Sequence, residues 1–379
     1  MFEWNKEQKQ LADSIRKWEG RFTRQSDTCL DPEQFQRNWT LVQEMGILSL
    51  PIENEYGGLG QNVLTTMHAL ESFGSICCDE GLSFSVSSHM VSTAIPIQKF
   101  GSSSQKNDYL PLICAGERIG AHAISESESG SDAWSMKTKA VACGEGYRLN
   151  GSKTFTSNGP IADTFIVYAR TSEETGTLGG FSAFIVDRDT PGFTVGSTLK
   201  KMGLHSSPLC DLYFDHCLLT PDKLLGKEGQ GFSIFNYVMN WEILLSFIIN
   251  VGEMQGLLDK CIEYSKTRSQ YGQPIGKYQA ISHKIADMKI GLETSRTMLY
   301  KAGYGFQHGR NITTDLSIAK VVTSETFVKS ALDAIQIFGG NGYMQETGIE
   351  KYLRNSVASK IYSGTSEVQR NTIASMLGL

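Results

Sequence analysis

Apolar side chains recur at helical spacing early in the chain: Leu11, Ile15 and Trp18, then Phe35, Trp39, Val42 and Met45, with Gly46 as a stop. The Gly-rich stretch 51–60 breaks the pattern, and helical texture resumes to about residue 115. From 116 to about 225 the period shortens. Runs at 147–151, 164–169, 181–186 and 211–214 are separated by Gly, Pro, Asn and Asp, which predicts strands and turns. Their regular spacing predicts a small β-barrel or sandwich. From 231 onward the pattern is helical again, with one Gly-rich interruption at 338–343. The expected organisation is mainly α with a central β-domain: a helical domain over 1–115, a β-domain over 116–225 and a second helical domain over 226–379.

Composition narrows the partners. The 379 residues carry a net charge of -5 and no basic stripe, which argues against nucleic acid and against anionic membrane surfaces. No basic segment leads into an apolar core at the start, so no signal peptide is expected. The richest apolar run, 243–251, falls short of a membrane span. Eight cysteines are scattered without a CxxC pair, so no metal site is expected and reduced cytoplasmic thiols are.

Three segments carry candidate chemistry. Along 237–252, one charged side chain, Glu242, interrupts an apolar run; on a helix it shares its face with Phe235, Val238, Leu245 and Ile249. Burial disfavours the ionised form of a carboxylate and makes it a better base, so Glu242 is a candidate general base; pairing with a distant Arg is the structural alternative. The stretch Ser125-Glu126-Ser127-Glu128-Ser129-Gly130-Ser131-Asp132 offers donors suited to a phosphate, or is a solvated loop. In Gly151-Ser152-Lys153-Thr154-Phe155-Thr156-Ser157-Asn158-Gly159, Phe155 is able to cover a flat ring and Ser157 to bond it, or the segment is a plain strand end.

Seven motifs in register resemble the acyl-CoA dehydrogenase family over nearly the whole chain. They are Tyr56-Gly57-Gly58-Leu59-Gly60; Ser125-Glu126 with Gly130-Ser131-Asp132; Gly151-Ser152-Lys153; and Gly226-Lys227-Glu228-Gly229-Gln230-Gly231. Thr267-Arg268-Ser269-Gln270-Tyr271-Gly272, Gln336-Ile337-Phe338-Gly339-Gly340-Asn341-Gly342-Tyr343 and Ser363-Gly364-Thr365-Ser366-Glu367 complete the set. The resemblance implies a helical domain, a small β-barrel and a four-helix-bundle-like C-terminal domain, with bound FAD and a homotetramer. It implies that Ile124, Ser125, Phe155 and Ser157 meet the flavin ring and that Ser131 lies near the pyrophosphate and the substrate thioester. It also implies that Arg268, Gln270, Tyr271, Gln336 and Gly340 reach FAD across a subunit interface, and that Thr365 and Glu367 make the last contacts.

Two departures from the family pattern refine this. Most members carry a catalytic Glu directly before the late Gly-Thr; here Ser363 stands there. A minority, such as isovaleryl-CoA dehydrogenase, hold the base on the first helix after the β-domain, where Glu242 aligns. Ser363 is then left a packing role, in a substrate pocket with Trp241 and Gly364. The residue after that Glu is usually Arg and here is Ile243, which puts CoA as the carrier in doubt. The sequence also resembles the prolyl-carrier-protein dehydrogenases, on Trp241-Glu242, the Ser-Gly-Thr-Ser ending and Asn158-Gly159-Pro160-Ile161-Ala162-Asp163. That resemblance implies a prolyl thioester on the phosphopantetheine arm of a carrier protein. Its α-proton would be removed by Glu242 and a hydride passed to flavin N5, giving a pyrroline or pyrrole. A short-chain or branched acyl-CoA dehydrogenase, and a flavin monooxygenase on the same fold, remain alternatives.

Overall fold

Side-chain oxygens set where the early helices begin. In the computed structural model, which describes residues 3–23, 30–172 and 180–379, Asn5 caps α1 (Lys6–Arg16), Asp31 caps α2 (Pro32–Met45) and Asn62 caps α3 (Val63–Ile76). Asp79 caps α4 (Glu80–His89), which runs through a π-helical stretch, Met90–Ala94, into α5 (Ile95–Phe100); Ser102 caps α6 (Ser103–Cys114). Gly46 ends α2 in the left-handed region, as its position after the apolar stripe predicts. Trp18 lies beyond α1, because the chain turns at Lys17 and Gly20 takes a positive φ. Among the cysteines, Cys29 lies outside the described residues.

The β-rich stretch forms β1 (Gly120–Ala123), β2 (Lys139–Cys143), β3 (Gly146–Ser157), β4 (Thr164–Arg170), β5 (Phe181–Asp187), β6 (Phe193–Thr198), β7 (Leu209–Leu219) and β8 (Leu224–Leu225). They make one sheet in the order β6-β7-β3-β2-β4-β5-β8, with β1 parallel to β4. The sheet curls strongly. Phe165 of β4 and Phe193 of β6 have three strands between them in that order, yet their rings meet at 4.9 Å. The inner face packs Phe165, Val167, Phe184, Phe193, Leu212 and Phe214 together. The outer face of β4, through Ile166 and Tyr168, packs against helices. Both faces are therefore buried, which is why β4 reads as an unbroken apolar run.

The last part of the chain is α7 (Gly231–Thr267), a hairpin of β9 (Ser269–Gln270) and β10 (Gln273–Pro274), then α8 (Gln279–Gln307), α9 (Thr313–Phe338), α10 (Gly340–Tyr343), α11 (Glu350–Ser359) and α12 (Ser366–Met376). By length and composition α7 is long and apolar enough to cross a membrane. This corrects the expectation drawn from 243–251, which saw only the densest part of the run. Its apolar residues, Leu244, Leu245, Phe247, Ile248 and Val251 among them, are buried inside the protein, as a core helix requires.

The first and last helical segments share one core, in which Phe35, Trp39, Leu70 and Phe73 join Leu244, Phe247, Leu299 and Phe327. Helices α3 and α7 touch backbone to backbone. A Cβ on Gly74 would lie 2.3 Å from Ile249 O, and one on Gly252 would lie 2.1 Å from Glu71 O. This close crossing fixes α7 in depth, and with it Glu242.

Candidate active site

Glu242 sits on α7 where the helix passes from the outer face of the sheet into the shared helical core. One to two turns back, Val238 and Ile234 pack on the sheet side; one to two turns on, Leu245 and Ile249 are buried in the helical core. The Glu242 side chain is only 12% exposed. Its Oε1 accepts a hydrogen bond of 2.5 Å from Ser363 Oγ, across 121 positions of chain. Its Oε2 is buried, has no hydrogen-bond partner among the described residues, and lies 3.8 Å from Nε2 of His122 on β1.

Ser363 therefore makes a polar contact in addition to the packing expected of it. It is held in place for this contact. Its φ is +55°, an uncommon conformation for a residue with a side chain, and Gly364 follows at +79°. Gln369 Nε2 donates to the Ser363 carbonyl at 2.9 Å, and the Thr365 hydroxyl caps α12 on Val368 N at 3.2 Å. The late motif thus survives as a rigid turn that presents a hydroxyl to a carboxylate on another helix. Trp241, beside Glu242, is buried and meets Phe306 of α8 edge-on at 5.5 Å. Ile243 is buried in the helical core.

The two segments read as flavin contacts lie side by side. Thr154 N donates to Ser125 O at 2.9 Å, and Lys153 Nζ donates to Ile124 O at 3.0 Å. Beneath them Lys153 also meets Glu126 Oε1 at 2.8 Å, with both side chains buried. Glu126 further accepts from Thr138 N at 2.9 Å and Lys137 N at 2.6 Å. Burial pushes the Lys153 ammonium down to about 8, against the pull of Glu126. Burial would raise Glu126, but the Lys153 charge and the hydrogen bonds offset this and hold it below its usual value. The Ser-Glu and Gly-Ser-Lys motifs are thus two halves of one internal tie.

Above that tie the register of β3 against β7 shifts between Lys153 and Thr156, and Phe155 takes a φ of +54°. Backbone strain of this kind costs about 1–3 kcal/mol and is kept where the surroundings demand it. The result is a Phe155 ring 65% exposed, beside the half-buried Ser157 and Ser125. Asn158, fully buried at the end of this turn, donates to Ser85 O on α4 at 3.0 Å and so ties the strand end to the helices.

The remaining predicted residues lie at the surface. Ser131 is exposed, two residues after the turn closed by Glu126 and Ser129. Arg268 ends α7, with Gln270 and Tyr271 on the hairpin; Tyr271 is 95% exposed. Tyr271 and Gly272 both have positive φ, as a two-residue primed turn requires, so the aromatic ring is projected by a stiff hairpin. Gln336 and Gly340 flank the end of α9, and Glu367 lies in the first turn of α12. No hydrogen bond among the described residues joins this hairpin to the Phe155 strand end.

Residue-level reading of the sequence passed over His122 and Tyr168. A histidine amid small residues in Gly120-Ala121-His122-Ala123 is a weak signal, and a tyrosine in an apolar strand is none. Only the fold turns both towards α7.

Comparison with known proteins agrees with this architecture from end to end. Models of the acyl-CoA dehydrogenase N-terminal, middle and C-terminal domains match residues 5–117, 121–217 and 229–378. A Pseudomonas fluorescens L-prolyl-[peptidyl-carrier protein] dehydrogenase is 42% identical, over 90% of this chain and 90% of its own length. The crystal structure of the prolyl acyl carrier protein oxidase AnaB superposes with a TM-score of 0.94 at 36% identity, covering 100% of both chains. PigA with FAD and proline gives the same TM-score and identity, covering 100% of this chain and 99% of its own. With three domain models in order, and relatives aligned along nearly the whole length, the chain belongs to the acyl-CoA dehydrogenase family.

Proposed function

We propose that the protein is an FAD-dependent oxidoreductase that oxidises a prolyl group held as a thioester on a carrier protein. The observation that carries the reading is Glu242: a buried carboxylate with one oxygen held by Ser363 and the other without a partner. The likeness to the P. fluorescens prolyl dehydrogenase, AnaB and PigA supports the substrate class. The burial of Ile243, where most of the family has Arg, supports a carrier other than free CoA.

The residues present fit FAD. The exposed, strained Phe155 ring beside Ser125 and Ser157 suits a flat heterocycle. We assign the ring to Ile124, Ser125, Phe155 and Ser157, and the pyrophosphate side to Ser131. Arg268, Gln270, Tyr271, Gln336, Gly340, Thr365 and Glu367 complete the site in a homotetramer, the stiff hairpin serving a neighbouring subunit. Arg suits a diphosphate because its planar fork gives paired, charge-assisted bonds. When bound, FAD supplies the two-electron acceptor.

The chain's own residues do the proton chemistry. A thioester carbonyl acidifies the adjacent C–H, and Glu242 takes that proton through Oε2 as general base. Ser363 orients the carboxylate by holding Oε1. Trp241 and Gly364 shape the walls of the pocket. We assign the enzyme to the cytoplasm, where cysteines scattered without a CxxC pair are kept as reduced thiols.

The test is mass spectrometry of carrier-bound prolyl, other aminoacyl and simple acyl thioesters after incubation with the enzyme. The prolyl thioester is expected to lose two hydrogens per round while the simple acyl groups stay intact. Flavin bleaching by free CoA thioesters alone would sink the carrier assignment. Arg268→Ala is expected to lower FAD occupancy and tetramer content together, read by gel filtration at the flavin band; full occupancy in a dimer or monomer would remove the hairpin from the site.

A further inference from the structure

Strand β1 pairs in parallel with β4, His122 opposite Ile166, and Tyr168 follows two residues on. Side chains two apart on a strand share a face. Ile166 and Tyr168 lie in the core that includes Ile234 and Val238 of α7, while Phe165 and Val167 lie in the core inside the sheet. His122 shares the α7 side, with Nε2 3.8 Å from Glu242 Oε2. Tyr168 is 0% exposed and its ring meets Phe235 of α7 at 5.8 Å.

On these three side chains a buried polar atom lacks a hydrogen-bond partner among the described residues: Glu242 Oε2, His122 Nδ1 and Tyr168 Oη. Native interiors satisfy nearly all buried polar atoms, so a group of orphans beside a proposed base calls for a ligand. The three are complementary to one chemistry. A carboxylate oxygen accepts, an imidazole nitrogen accepts or donates, and a phenol does both. Burial, with the Glu242 charge adding to it, raises the Tyr168 phenol far above neutral pH, so it keeps its proton. An alkyl acyl chain brings only carbon here and leaves these atoms unpaired. A ring amine brings N–H donors.

We propose that His122 and Tyr168 recognise the substrate's ring nitrogen and make the enzyme selective for a cyclic amino-acyl thioester over its all-carbon counterpart. The inference rests on Glu242 as the base, and on a prolyl-type substrate.

The experiment compares two thioesters on one carrier protein, prolyl and cyclopentanecarbonyl, which have the same ring size and differ in the nitrogen. Single-turnover flavin bleaching is followed anaerobically for the parent, His122→Phe and Tyr168→Phe. The parent should prefer prolyl, and each variant should lower the prolyl-to-carbocycle rate ratio by about 10-fold or more, because sites built for a polar group discriminate through the bonds left unmade. Both rates come from the same preparation, so partial misfolding cancels in the ratio. Substrate-free Tyr168→Phe should unfold at the same or higher denaturant, since its hydroxyl has no partner in the fold. A ratio unchanged in both variants, or a marked loss of stability in Tyr168→Phe, overturns the proposal. Glu242→Gln should slow both thioesters alike. Parent rates in that variant would instead sink the base assignment, a result distinct from an unchanged ratio.

Discussion

Glu126 and Glu242 invite comparison because both carboxylates are buried beside the same sheet. Glu126 accepts from Lys153 Nζ, Thr138 N and Lys137 N, so both its oxygens are engaged. Among the described residues Glu242 accepts only from Ser363, and its second oxygen faces His122 beyond hydrogen-bond distance. A carboxylate with donors on both oxygens is stabilised as an ion and is the poorer base. One held by a single oxygen is oriented and still open at the other. The same side chain is a tie in one place and a base in the other, and the donor count separates them.

The sharpest way to break the contrast is Glu242→Gln. It keeps shape and removes basicity, so single-turnover flavin bleaching with a prolyl thioester should slow by about 100- to 10,000-fold while FAD stays bound and the melting temperature holds. A variant that bleaches at the parent rate would return the base to the late Gly-Thr motif.

At the other carboxylate the expected damage is to stability. Lys153→Met leaves Glu126 buried and unpaired, which should cost about 3–5 kcal/mol in denaturant unfolding. Adding Glu126→Gln should recover part of that loss, since the uncompensated charge is gone. If the double variant is no more stable than the single, the pair is not the tie described above.

Ser363→Ala should have a middling effect. One hydrogen bond to a charged group is lost, and bleaching should slow by about 10-fold. A loss as large as that of Glu242→Gln would make Ser363 part of the proton chemistry rather than a positioning residue.

The smallest effect concerns acid. Glu126 is held below its usual value in the folded protein, so its contribution to stability is present above the ordinary carboxylate range and is lost as pH falls through the depressed value. Urea midpoints measured from neutral into acid should therefore fall less steeply in Glu126→Gln than in the parent. Equal slopes would mean that this carboxylate is no more stabilised in the folded than in the unfolded chain.

What the sequence determined by itself is local. The stripe from Phe35 to Met45 and its Gly46 stop specify α2, and the apolar runs at 164–169 and 181–186 specify β4 and β5, because side-chain period and caps act over a few residues. The family motifs were legible for the same reason, and Glu242 was visible as a charge in an apolar helix. The tertiary structure decided the pairings. That the first and last helical segments form one core depends on Gly74 and Gly252 letting α3 and α7 meet backbone to backbone. That Lys153 belongs to Glu126, Ser363 to one oxygen of Glu242 and His122 to the other follows from chain segments up to 121 positions apart. Periodicity carries no information over such separations. Only the curl of the sheet and the depth of α7 bring those side chains within reach of one another.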